Sequence, residues 1–263
     1  MTLSGTTTTN KPVLTWTRDD GVLHAVINRP PANALGPPLI AALGELVDEF
    51  AAGGDKVLVL SSAVPGFFAA GADVKHVAGL TAQEFADYRD AARVPFERLA
   101  ACGRPSIAVL EGRALGGGLE LAMACTLRFA SRPARLGLPE IMLGLIPGAG
   151  ATQRLPRLVG RGRALELMLT GREIHGDEAW RIGLVDRVLY RDPVAETLEV
   201  AAQMAHASAP AMSEIINCVD VSGDLPHERG MAVEGLALLS VFEDGEAREG
   251  IAAFLEKRAP RFA

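Results

Sequence analysis

Glu120 and Glu140 are the side chains whose surroundings point most directly to chemistry. Glu120 lies in EGRALGGGLELAMA (residues 111–124), where three consecutive glycines precede an apolar pattern of helical period. Such glycines predict a tight loop running into a helix N-terminus, whose free N–H groups attract negative charge. Glu120 follows Gly117 by three residues, so the two share nearly the same helix face, and helical side chains lean back toward the N-terminus. A carboxylate would stand beside exposed amides; the plainer reading is a first-turn acid that complements the helix dipole. Glu140 is a lone acid in an otherwise uncharged stretch from Leu136 to Gln153, where burial would raise its pKa. Its plainer reading is an acid that opens a short helix after Pro139 and faces water. Twenty residues separate the acids, room for a helix end, a strand and a hairpin turn, which permits their meeting without requiring it.

A second glycine-rich segment, FFAAGADVK (residues 67–75), also follows soon after a predicted buried strand, the position where open α/β folds tend to bind ligands. Other chemistries lose ground. The chain has no GxSxG nucleophile elbow and no GxxxxGK[ST] phosphate loop. Its five histidines show no HExxH spacing and Cys102, Cys125 and Cys218 form no CxxC pair, so reduced thiols and no metal are expected.

The elements that must position these residues are legible in outline. VLTWT, the turn RDDG and VLHAVIN predict an opening hairpin. Leu39, Leu43, Leu46, Val47 and Phe50 recur at helical spacing until Gly53-Gly54. VLVLSS (57–62) and SIAVL (106–110) read as strands buried on both faces, 127–130 as a further strand, and 82–101 and 117–124 as helices. This alternation is α/β. From about Ala151 strands fade, and 163–169, 177–182, 194–207, 210–218, 228–242 and 246–258 read as helices. The expected organisation is a tail over 1–10, a core over 11–190 and a helical region over 191–263, the boundary being soft.

With 263 residues, 49% hydrophobic and 22% charged, the chain can bury a sizeable core. A net charge of −6 and only 5% aromatic residues argue against a nucleic-acid partner. The longest uncharged run, 57–72, is broken by Pro65, Gly66 and Gly71 and is shorter than the roughly 18 apolar residues of a membrane span. The first ten residues lack the basic start and apolar stretch of a signal peptide, so the default address is the cytoplasm. Arg128, Arg132, Arg135, Arg154, Arg157, Arg161 and Arg163 are expected to form solvated and intersubunit salt bridges.

INRPPANAL (27–35), FFAAGADVK, GRALGGGLELAMAC (112–125), LPEIMLGLIPGAGATQRL (138–155), GREIHGDEAWRIGLVDRV (171–188) and EGIAAFLEKR (249–258) together resemble the enoyl-CoA hydratase/isomerase (crotonase) superfamily from about Val13 to the end. The resemblance implies a spiral of ββα units with a C-terminal helical part that packs against neighbouring subunits, in a homotrimer or dimer of trimers. It implies an acyl-CoA thioester substrate, coenzyme A being part of the substrate and no cofactor being needed. The thioester oxygen would rest between the N–H groups of Ala72 and Gly117. Loss of one such donor costs roughly 3–4 kcal/mol in comparable sites.

The hydratase subgroup carries two glutamates, matched here by Glu120 and Glu140, which favours addition of water to a 2-trans-enoyl-CoA in fatty acid or related acyl-CoA metabolism. Glu120 would assist attack at C3 and Glu140 deliver a proton to C2. The resemblance puts the adenine near Ala70–Val74, with Asp73 in that loop, and the pantetheine near Arg29 and Ala32. Phe254 and Lys257 would reach a neighbouring subunit's nucleotide. Two departures stand out: the Asn-Arg-Pro segment is one residue short of its commonest form, and Thr126 stands where many members have aspartate. The runner-up within the fold is a Δ3-Δ2 enoyl-CoA isomerase or other enolate-stabilising lyase; outside it, a non-catalytic acyl-CoA-binding or RNA-associated homologue.

Overall fold

Apolar runs too short for helices become the central strands of the computed structural model, which describes residues 12–262. The chain winds through successive ββα units. β1 (Leu14–Asp19) and β2 (Val22–Ile27) form the expected hairpin about Asp20 and Gly21, followed by α1 (Pro37–Ala52). β3 (Val57–Ser62) and β4 (Phe67–Ala69) lead to the short α2 (Val74–Val77) and the long α3 (Ala82–Ala100). β5 (Ser106–Leu110) and β6 (Arg113–Leu115) lead to α4 (Gly117–Ala124). β7 (Leu127–Ser131) and β8 (Arg135–Gly137) lead to a 3-10 helix (Pro139–Leu143), α5 (Ala151–Val159) and α6 (Arg161–Thr170). β9 (Ile174–His175), α7 (Gly176–Arg181) and β10 (Arg187–Leu189) close the spiral. Four helices follow: α8 (Pro193–Ala205), α9 (Ala209–Val221), α10 (His227–Glu243) and α11 (Ala247–Leu255).

The two strands of each later unit belong to different sheets. The larger sheet has the order β1-β2-β3-β5-β7-β10 and is parallel from β2 onward; the smaller has the order β4-β6-β8-β9, its first three strands parallel. β9 and β10 correct the expectation that strands fade after Ala151. Two or three residues show no period, and β10 becomes a strand only because β7 offers a free edge. The same shortness hid β4, β6 and β8.

α1, α3 and α4 cover one side of the larger sheet through Leu39, Leu43, Phe50, Phe96, Leu119 and Ala122. α8 covers the other side, with Ala201 and Ala205 against Val57, Val59, Ile107 and Val109. It lies beyond the expected boundary near residue 190 yet belongs to the packed core; α9, α10 and α11 are the part that stands off. Thr126 accepts from the Ser106 amide at 3.1 Å while the Thr126 amide donates to Ser106 Oγ at 3.0 Å, joining the end of α4 to the start of β5. The expected tail over 1–10 lies outside the described residues.

Candidate active site

β4, β6 and β8 run parallel and end side by side, and each releases one piece of the site. After β4 comes the loop with Gly71, Ala72 and Asp73; after β6, Gly116 and the start of α4; after β8, Glu140. The Gly116 amide donates to Gly137 O at 2.9 Å, continuing the β6–β8 ladder to the threshold of α4.

Glycine is required where the first two loops meet. Gly71 has φ +87°, and a Cβ there would lie 2.8 Å from Leu115 O and 3.2 Å from Gly117 N. Gly116 has φ +51°, and a Cβ would lie 2.7 Å from Glu140 Oε1. Among the described residues, the backbone bonds of turns, loops and caps include no donation from Ala72 N or Gly117 N. Gly117 opens α4, where the first amides have no partner within the helix. Two adjacent backbone donors can therefore meet one oxyanion.

Glu120 lies one turn along α4 and is 3% exposed. Its Oε1 accepts the amides of Ala149 at 2.7 Å and Ala151 at 3.0 Å. Burial raises its pKa; the Ala151 and Ala149 amides and the Arg154 charge act in the opposite direction. Glu140 does open a short helix after Pro139, but Oε2 is buried with no hydrogen-bond partner, so its carboxyl does not simply face water. Burial, opposed by a backbone hydrogen bond and reinforced by the Glu120 charge, pushes its pKa to about 7. Neighbouring acids with separated titrations can act as base and acid at one centre.

The expected CoA loops also adjoin. Ala70 N donates to Ala32 O at 3.0 Å, and Leu35 N to Gly71 O at 2.7 Å. Arg29 reaches Asp73 at 2.8 Å and Ala34 O at 2.7 Å, and its guanidinium holds the Asp73 carboxyl below the usual range. Asp73 also caps α2 through His76 N, and Val74 beyond it is 55% exposed. Phe254 and Lys257 are not brought here within one chain. They lie at the end of α11, whose main packing partner is α10, and Phe254 is 82% exposed.

Asn33, unmarked by sequence reasoning, is fully buried at φ +52°. It accepts from Arg29 N at 2.7 Å and donates to Ser62 Oγ and Phe68 O, both at 2.8 Å. Its signal was an asparagine amid prolines, the residue type that tolerates a left-handed turn. Two arginines depart from the expected solvated role. Arg128 is 4% exposed and binds Asp186, Leu184 O and Cys125 O, while Arg154 donates to the carbonyl of Ala149, whose amide binds Glu120.

A groove of about 840 Å³ lies elsewhere, between α1 and α3, and is lined by Ile40, Leu80, Tyr88 and Val94 but by neither acid. Among the described residues no group of three His, Cys, Asp or Glu side chains could hold a metal ion, and no helix is long and apolar enough to cross a membrane.

Known proteins similar to this chain point to one family. The enoyl-CoA hydratase/isomerase family model matches residues 17–263. A probable enoyl-CoA hydratase of Bacillus subtilis is 38% identical, over 93% of this chain and 96% of that protein. A probable enoyl-CoA hydratase of Mycobacterium leprae is 41% identical, over 90% and 92%. The crystal structure of an enoyl-CoA hydratase from Bacillus anthracis superposes with a TM-score of 0.92 at 34% identity, covering 95% of this chain and 98% of that one.

Proposed function

The chain belongs to the enoyl-CoA hydratase/isomerase family, and from that premise we propose that it adds water across the C2–C3 double bond of 2-trans-enoyl-CoA thioesters. The observation that carries the reading is the buried, unpartnered Oε2 of Glu140, set in a carboxyl that feels the Glu120 charge and lies against Gly116.

The thioester oxygen accepts the amides of Ala72 and Gly117, which draws electron density from C3. Glu120, as carboxylate, takes a proton from a water molecule while that water's oxygen bonds to C3. The C2–C3 π electrons move toward the thioester, and the enolate charge is held by two fixed donors, one of them at a helix N-terminus. Glu140, as carboxylic acid, gives its proton to C2. Water has been added as H and OH, and transfer of the proton held by Glu120 back to Glu140 restores the site.

Asp73 and Arg29 fix the Ala72 loop, with the pantetheine and adenine along residues 29–32 and 70–74. The chain forms a homotrimer or a dimer of trimers. Leu236, Leu238 and Phe254, each at least 68% exposed, support a partner surface on α10 and α11, and Phe254 with Lys257 then serves the neighbouring subunit's nucleotide. The direct test is loss of conjugated-enoyl absorbance with crotonyl-CoA and longer homologues. Rapid loss supports hydration; none with these thioesters, but turnover of a 3-enoyl thioester, moves the reading to isomerisation.

A further inference from the structure

Arg154 sits on α5 and turns back over the loop that feeds Glu120. Its Nη1 donates to Ala149 O at 3.1 Å, and its side chain, 17% exposed, reaches Glu97 on α3 at 3.0 Å. Ala149 is thus held from both ends: its carbonyl by Arg154, its amide by Glu120.

The other charges on the elements around α4 are engaged elsewhere. Arg113 on β6 faces Glu173, Arg128 on β7 faces Asp186, and Arg157 on α5 faces Asp224. On α3, Glu84 is bound to Thr81, Asp87 to Gln83, and Arg89 and Arg93 to Asp90, while Arg98 pairs with Asp48 of α1. Cys125 at the end of α4 and Cys102 after α3 are thiols whose pKa burial raises. Among these groups, the Arg154 charge acts on Glu120, and the Glu120 charge acts in turn on Glu140.

We propose that Arg154 is a positioning residue for this site, clamping the Ala149 carbonyl so that the amides of Ala149 and Ala151 meet Glu120, and placing a cation at the base of that loop. The division of roles between two otherwise similar acids then originates outside the pocket. The inference rests on the hydratase reading for its kinetic consequence but not for its electrostatic one.

The test compares wild type with Arg154→Gln, which removes the charge, and Arg154→Lys, which keeps it. Two readouts are taken: the acid limb of kcat/KM against pH with crotonyl-CoA, and the titration of the Glu120 carboxyl in the resting enzyme by carbon-13 NMR, identified by its absence in Glu120→Gln. Both should move up in Arg154→Gln and stay near wild type in Arg154→Lys, since an opposite charge nearby lowers a carboxyl pKa. A fall in kcat with the limb and titration unmoved in Arg154→Gln, or equal shifts in both variants, overturns the proposal. Should Arg154→Gln not fold, Glu97→Gln leaves the Ala149 clamp intact and should move both readouts down; no movement or a rise overturns it. If wild type hydrates nothing, the functional reading fails, and the NMR titration still decides the role of Arg154.

Discussion

Glu140 presses one carboxyl oxygen against the backbone of Gly116, 2.7 Å from where a side chain would begin, and buries the other without a partner. The acid lies against the glycine that turns the chain into α4, so this carboxyl and the helix-start amides share one wall of the site.

Activity should follow a bell in pH. Glu140 is pushed up to about 7 and must be protonated to give its proton to C2, so kcat/KM falls as pH rises through that value. Burial raises the Glu120 pKa from its ordinary value, and Glu120 must be ionised, which places the other limb on the acid side. A profile measured with crotonyl-CoA across the acid and neutral range checks this; a flat basic side contradicts the assignment of Glu140.

Stability should carry the same signature. A carboxyl whose pKa is raised on folding stabilises the native state relative to its ionised form below the ordinary value of 4.5, and that advantage is lost as pH rises through about 7. Glu140→Gln should therefore raise Tm at pH 8 by an amount corresponding to about 1–2 kcal/mol, allowing for water that still reaches part of the group, and change little at pH 4. Calorimetry at the two pH values reads the difference.

The donor at Gly117 can be removed with little change of helix geometry. Proline is tolerated at the first position of a helix, so Gly117→Pro deletes the N–H while α4 persists. It should lower kcat by about 10²–10³, whereas Gly117→Ala, which makes the same contact with Leu35 and keeps the N–H, should retain most activity. Circular dichroism confirms that both fold.

The exposed apolar side chains of α10 and α11 predict an assembly. Light scattering coupled to size exclusion should give three or six times the chain mass of 27.7 kDa, and Leu238→Asp should lower it. A monomer at working concentration contradicts the trimer proposal.

What the sequence made legible follows from physical length. β3, β5 and α4 announced themselves as apolar runs or as a glycine-led helical pattern, and the structure places β3 over Val57–Ser62, β5 over Ser106–Leu110 and α4 over Gly117–Ala124. The smaller sheet was invisible because β4, β6 and β8 have three residues each, yet their side-by-side ends gather Ala72, Gly117 and Glu140. Glu120 and Glu140 stood out as acids in apolar surroundings. Asn33 and Arg154 did not, because their value comes from contacts across the chain: Asn33 with Phe68, Arg154 with Glu97.

The central claim is that two carboxyl groups share the addition of one water. The most direct measurement is the rate of crotonyl-CoA hydration by wild type, Glu120→Gln and Glu140→Gln under identical conditions, with thioester binding measured alongside. The account predicts rapid hydration by wild type and losses of about 10²–10⁴ in kcat for each variant, with binding largely retained. Full activity in either variant would contradict it.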